Sequence, residues 1–149
     1  MPITLDQPAQ IAHLNVRKEG KEGDKHLMVD LKLQVRTTAD ILAEFDPTLR
    51  HLLFVDGEPR YPKMAAIKWE GESAHMELEL CGLLLMDVRV HKFQLAPFGI
   101  HGQAFVDLTC CATFGPTGRD VAILAEQVGE TIDIKLHPGP QLDLVGRES

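Results

Sequence analysis

The stretch LLLMDVRVHKFQL, Leu83–Leu95, reads as a β-strand running through the middle of the fold. Side chains alternate between the two faces of a strand. One face then carries Leu84, Met86, Val88 and Val90, apolar without a break. The other carries Leu83, Leu85, Asp87, Arg89, His91, Phe93 and Leu95, polar in the middle and apolar at its ends. Such a strand covers a core with one side and is partly covered on the other. As a helix, the same run would place Asp87 and Arg89 among apolar neighbours and leave no clean stripe.

Upstream, His75–Leu80 alternates as well, with Met76, Leu78 and Leu80 on one face and His75, Glu77 and Glu79 on the other. A two-residue turn at Cys81–Gly82 would pair Glu79 with Leu84 and Glu77 with Met86, mixing charge into the apolar face. A connection one residue longer pairs Leu80 with Leu84, Leu78 with Met86 and Met76 with Val88. The pattern therefore predicts the longer turn, or a bulge near Gly82, because a one-residue slip reverses every side chain.

Working outward, Asp24–Arg36 alternates most regularly, with Leu27, Val29, Leu31, Leu33 and Val35 on one side. It is expected as a half-buried antiparallel strand. Ile11–Lys18 is expected as its neighbour, and the charged, glycine-containing Arg17–Lys25 as a mobile hairpin tip between them. Thr37 or Thr38 caps an expected helix at Ala39–Phe45, and Asp46-Pro47 starts a second over Leu49–Phe54. Asp56–Pro59 is a turn and Lys63–Trp69 a strand. Ala96–Gly102 reads as a loop, followed by a strand over Gln103–Phe114 with Ala104, Val106, Leu108, Cys110, Ala112 and Phe114 facing one way. Asp120 caps a helix through Val128, stopped by Gly129, and Thr131–Leu136 is the last strand. The expected architecture is α+β in one domain, 1–149. It is mainly an antiparallel sheet or sandwich of six to seven strands, covered by helices near Ala39–Phe54 and Asp120–Val128, with a flexible tail over 138–149.

Composition narrows the setting. The net charge of −7 makes the chain a poor general binder of phosphate backbones. No apolar run approaches the roughly 20 residues that span a bilayer, and the start lacks the basic and apolar regions of a signal peptide. Three cysteines at no framework spacing fit a reducing, cytoplasmic environment. Val29–Arg50 (VDLKLQVRTTADILAEFDPTLR) and the strand–helix–strand of Phe105–Leu136 resemble small proteins encoded by bacteriophages and prophages. The resemblance implies a bacterial cytoplasm and, in that setting, counter-defence or recombination accessories. It carries no activity and no site residues.

No combination of residues makes a catalytic set. Gly71-Glu72-Ser73-Ala74-His75 lacks the second glycine of a nucleophile elbow and lies between two hairpin strands, so it reads as a turn. His75, Glu77 and Glu79, with Asp87, Arg89 and His91 on the next strand, offer zinc or manganese ligands only if both strands converge on one point. Same-face residues of one strand stand nearly 7 Å apart by the ~3.3 Å rise, so a solvated polar face explains the same letters. Cys110-Cys111 point to opposite faces and do not resemble CxxC, which gives one core thiol and one partly exposed thiol. Gly115–Asp120 precedes a helix but lacks the lysine of a phosphate loop, and Asp120 would repel phosphate. Arg17, Lys18, Lys21 and Lys25 on the tip, with Arg50, Arg60, Lys63 and Lys68 elsewhere, are the candidate nucleic-acid contacts. Aromatic platforms are thin, and Glu19, Glu22 and Asp24 dilute the field of the tip. The expectation is a non-enzymatic protein without metal or cofactor that binds a protein partner or a second copy of itself. A nucleic-acid-binding accessory is the alternative. A metal-dependent hydrolase using His75, Glu77 and His91 comes third.

Overall fold

Alternating Leu and Val residues draw most of the chain into long antiparallel strands. The computed structural model describes residues 3–140; the part of the expected tail after 140 lies outside the described residues. In chain order the strands are β1 (Leu5–Lys21), β2 (Asp24–Thr38), β3 (Phe54–Val55), β4 (Glu58–Pro59), β5 (Ile67–Trp69), β6 (Ser73–Leu80), β7 (Leu83–Ile100), β8 (Gln103–Phe114) and β9 (Thr131–Pro138). A 3-10 turn at Ala39–Glu44 and two helices, α1 (Leu49–Leu53) and α2 (Gly118–Ala125), complete the fold. The main sheet runs β5-β7-β6-β9-β1-β2-β8, and β8 pairs back onto β7. The sheet therefore closes into a six-stranded antiparallel barrel, with β5 lying beyond β6 along the same edge of β7. This is the expected α+β, mainly antiparallel architecture, realised as a barrel, which leaves its six strands without free edges along the pairing direction.

On β2, β6 and β8 the barrel interior is filled by the faces that the alternation identifies, except at Leu27, which is 40% exposed. Val29, Leu31, Leu33 and Val35 of β2 are buried, as are Met76, Leu78 and Leu80 of β6 and Ala104, Val106, Leu108, Cys110, Ala112 and Phe114 of β8. The α2 segment, with Leu124 fully buried, links β8 to β9 at one end of the barrel. Ala39, Ile41 and Leu42 are buried at the other, where Phe45 packs edge-on against Trp69 at 5.7 Å and Phe93 at 5.1 Å. These edge-to-face contacts add to the area they bury.

Several expectations need correction. β6 and β7 are joined by the tight two-residue turn at Cys81–Gly82, with Leu80 opposite Leu83 and Glu79 opposite Leu84. Both turn residues have positive φ, 53° and 76°, as in a type I′ turn, the form that matches strand twist. The inward face of β7 is consequently as expected at Val88 and Val90, with Met76 opposite Val88, but not at Leu84 and Met86. Leu85 is buried while Leu84 and Met86 are 54% and 59% exposed. Extra residues then reverse the phase: Asp87 (φ 54°) lies where the β6–β7 register shifts, and Lys92 (φ 55°) where the β7–β8 register shifts. Val88 and Val90 point inward after the first shift, and Phe93 and Leu95 after the second. On β6 the register shifts at His75 (φ 56°), whose Nδ1 lies 2.7 Å from Asp87 Oδ1, so the two irregularities face each other.

The stretch expected as a loop, Ala96–Gly102, instead carries β7 on to Ile100 and turns at His101–Gly102, again with positive φ at both residues. A loop pattern was misleading here because Ala96, Pro97, Phe98 and Gly99 all pair with β8. The helix cap also differs. Thr117 is the N-cap of α2, its Oγ1 accepting from the Asp120 N–H at 3.2 Å while Asp120 Oδ2 accepts from the Thr117 N–H at 3.0 Å. This reciprocal box satisfies first-turn donors that would otherwise be orphaned.

Candidate functional site

Two surface regions stand out. The first is a polar chain across the outer face of β1, β2, β8 and β7. Because Val29 and Leu31 point inward, Asp30 points out, and the register sets it opposite Thr113 of β8. Cys111 and His91 are in turn partners across β8 and β7. Arg17 grips the Asp30 carboxylate with two donors, Nε at 2.7 Å and Nη2 at 3.3 Å, and Asn15 Nδ2 adds a 3.5 Å contact. Arg17 also pairs with Glu19. The Thr113 hydroxyl, 3% exposed as a residue, donates to Asp30 Oδ1 at 2.8 Å and lies 2.8 Å from His91 Nε2 and 3.8 Å from Cys111 Sγ.

The electrostatics follow from this arrangement. The Arg17 guanidinium, helped by Thr113, holds the Asp30 carboxyl down at about 2 against the opposing effect of burial. Asp30 is therefore ionised and can only accept. Thr113 has one hydroxyl proton and spends it on Asp30, so His91 Nε2 must carry the proton that reaches Thr113 Oγ1. Burial, then the nearby Arg89 and Lys92 charges, push the His91 imidazole below its ordinary value, which favours the neutral ring. Burial likewise raises the Cys111 thiol, and it pushes Cys110, inside the barrel, up to about 12. Beside His91 a recess of about 380 Å³ is lined by Trp69, Glu72, Lys92 and their neighbours.

The second region is the barrel end formed by α1, β3, β4 and the β7–β8 turn. A Cβ at Gly57 would lie 1.7 Å from the Gly102 carbonyl oxygen, so only glycine permits the Asp56–Gly57 turn to seat on the β7–β8 turn. Arg60 ties the segment back, its N–H donating to the Leu53 carbonyl at 2.7 Å and its guanidinium reaching the Leu52 and His51 carbonyls. Around this scaffold Leu52 (55%), Val55 (48%), Tyr61 (57%), Met64 (38%) and Ile100 (41%) remain exposed.

The residues singled out in the sequence are distributed differently. His75 is bonded to Asp87, and Glu79 meets His137 Nε2 at 3.1 Å, which raises the His137 imidazole. His91 faces Thr113 instead, and His75, Glu77 and His91 do not form a ligand set. Among the described residues, the group whose donor atoms come within 4.8 Å of one another is Asp30, His91 and Cys111. Sequence reasoning found only His91 of these, because the other two arrive through pairings of β2 with β8 and of β8 with β7. On the tip, Arg17 is engaged by Asp30 and Glu19, and Lys25 Nζ lies 3.6 Å from Glu22; Lys18 and Lys21 are exposed. Arg50 pairs with Asp40, while Lys63 and Lys68 are exposed. Ser73 is a buried first residue of β6, not the tip of a strand-to-helix turn. Among the described residues, no helix is long and apolar enough to cross a membrane. Compared with known proteins, the chain matches no family model, no curated protein and no solved structure.

Proposed function

We propose that the chain is a non-enzymatic binding protein that engages a protein partner through the barrel end carrying Leu52, Val55, Tyr61, Met64 and Ile100. The observation behind this reading is the exposure of Leu52, Val55, Tyr61, Met64 and Ile100 around the contact of the Gly57 turn with Gly102; Val16, Leu27, Leu84, Met86 and Val128 are exposed elsewhere on the barrel. Exposed apolar groups that include an aromatic side chain such as Tyr61 suit an interaction site, where aromatic anchors dominate the binding energy. The phage resemblance of Val29–Arg50 and Phe105–Leu136 supports a bacterial cytoplasmic setting, in which a counter-defence inhibitor is the role in view.

Capture from a lysate of phage-infected bacteria tests the reading. The wild-type chain should retain one protein at near-stoichiometric yield, and a Leu52→Glu, Tyr61→Glu double variant with unchanged melting should lose it. Retention by the variant would remove this surface from the account. Nuclease-sensitive retention that is lost on changing Lys18 and Lys21 to Glu would favour the nucleic-acid alternative instead.

A further inference from the structure

We propose that Asp30, His91 and Cys111 form a zinc-binding site on the outer face of the barrel, independent of the apolar end. Their donor atoms come from three adjacent strands, β2, β7 and β8, and all lie within 4.8 Å of one another. Each is directed at one small volume, which the Thr113 hydroxyl occupies: 2.8 Å from Asp30 Oδ1, 2.8 Å from His91 Nε2 and 3.8 Å from Cys111 Sγ. Zinc bonds of about 2.0–2.3 Å in tetrahedral geometry need donors about 3.3–3.8 Å apart. A modest contraction, with Thr113 turning its hydroxyl aside, meets that requirement.

The surroundings suit a metal in a further way. Asp30 Oδ2 takes the shorter Arg17 bond and the Asn15 contact, while Oδ1 accepts from Thr113 at 2.8 Å and takes the longer Arg17 bond at 3.3 Å. Arg17 thus orients the carboxylate from the outer shell, the usual device for fixing a metal ligand. A thiolate, an imidazole and a carboxylate together select zinc over magnesium or calcium, which take oxygen ligands. On binding, the Cys111 thiol gives its proton to solvent. The His91 Nε2 proton is replaced by one at Nδ1, so the imidazole stays neutral and one proton is released per ion.

Cobalt(II) substituted for zinc provides the test, because it reports a bound thiolate by absorption. Titrating the full chain with cobalt should give thiolate-to-cobalt charge transfer in the near ultraviolet, saturating at one equivalent and removed by added zinc. Cys111→Ser should abolish the band, His91→Gln should weaken binding by at least about tenfold, and Cys81→Ser should change neither. A second measurement needs no variant at all: zinc should protect Cys111 of the native protein from alkylation. Absence of the band in wild type, its persistence in Cys111→Ser, its loss in Cys81→Ser, or alkylation of Cys111 unaffected by zinc would each overturn the proposal.

Discussion

Strands β2 and β7 both carry enough Leu and Val to line a core, yet the alternation rule describes one and fails on the other. Along β2 the inward positions are Val29, Leu31, Leu33 and Val35, every second residue, with no residue at positive φ. Along β7 the inward positions are Leu85, Val88, Val90, Phe93 and Leu95, with spacing of three at Asp87 and again at Lys92. The difference lies in what each strand must join. β2 is paired by one neighbour on each edge, whereas β7 is paired by β8 on one edge and by both β6 and β5 on the other. A strand that spans such a seam has to bend and twist, and an inserted residue supplies both. Extra residues at bends are therefore part of how this barrel closes, and they invert the faces of the strand that carries them.

The sharpest way to break this comparison is to charge a position that is inward on either reading. Val88→Asp drives an unpaired carboxylate into a site that is fully buried, at a cost of about 2–5 kcal/mol. Arg89→Asp beside it loses an exposed pair with Glu72 at 3.2 Å, worth about 0–1 kcal/mol. Urea midpoints should separate the two clearly, and a larger loss for Arg89→Asp would mean that β7 is facing the wrong way around Val88. A smaller effect sharpens the role of the bulge. At φ 54°, Asp87→Val puts a β-branched residue in the left-handed region, for a loss of about 1–2 kcal/mol, while Asp87→Gly should lie within about 0.5 kcal/mol of wild type. Equal effects of the two substitutions would show that backbone conformation at Asp87 is unimportant.

The smallest effect belongs to the regular side, where β1, β2 and β8 share the Arg17–Asp30–Thr113 chain. Arg17 lowers Asp30 from 3.8 to about 2, so the folded state binds this proton less readily than the unfolded state. The resulting stability is fully present above about 3.8 and disappears as pH falls through about 2. The Arg17 side chain remains about one-third exposed, which screens the pair and keeps the contribution modest. Denaturation of wild type and Asp30→Asn should differ at neutral pH and converge across that acid window. A difference that persists unchanged at the acid end would detach it from the Asp30 charge.

Much of the barrel was legible in the sequence, for reasons that can be traced to residues. On β2, β6 and β8 the apolar side chains alternate with polar ones, so the letters themselves choose the face. On β7 they do not: Leu83, Leu84, Leu85 and Met86 are interchangeable by hydrophobicity, and patterning alone favours a register that keeps Glu79 away from Leu84, its actual partner. Two signals pointed the other way. Phe93 and Leu95 fell on the face assigned to Asp87 and Arg89, as happens when a phase shift intervenes. Cys81-Gly82, like Asp56-Gly57 and His101-Gly102, also ends in the glycine that a two-residue type I′ turn favours. The cluster at Thr113 was hidden more deeply. Asp30, His91 and Cys111 meet only through the β2–β8 and β8–β7 registers, and no local spacing announces them.

The phase reversal at Asp87 is tested most directly by the neighbouring pair Leu85 and Met86. Strict alternation makes Met86 inward and Leu85 outward; the bulged strand makes Leu85 5% exposed and Met86 59% exposed. Leu85→Asp should lower the unfolding free energy by about 2–5 kcal/mol, and Met86→Asp by no more than about 0.5 kcal/mol. A large loss for Met86→Asp with Leu85→Asp near wild type would contradict the bulge and the barrel register built on it.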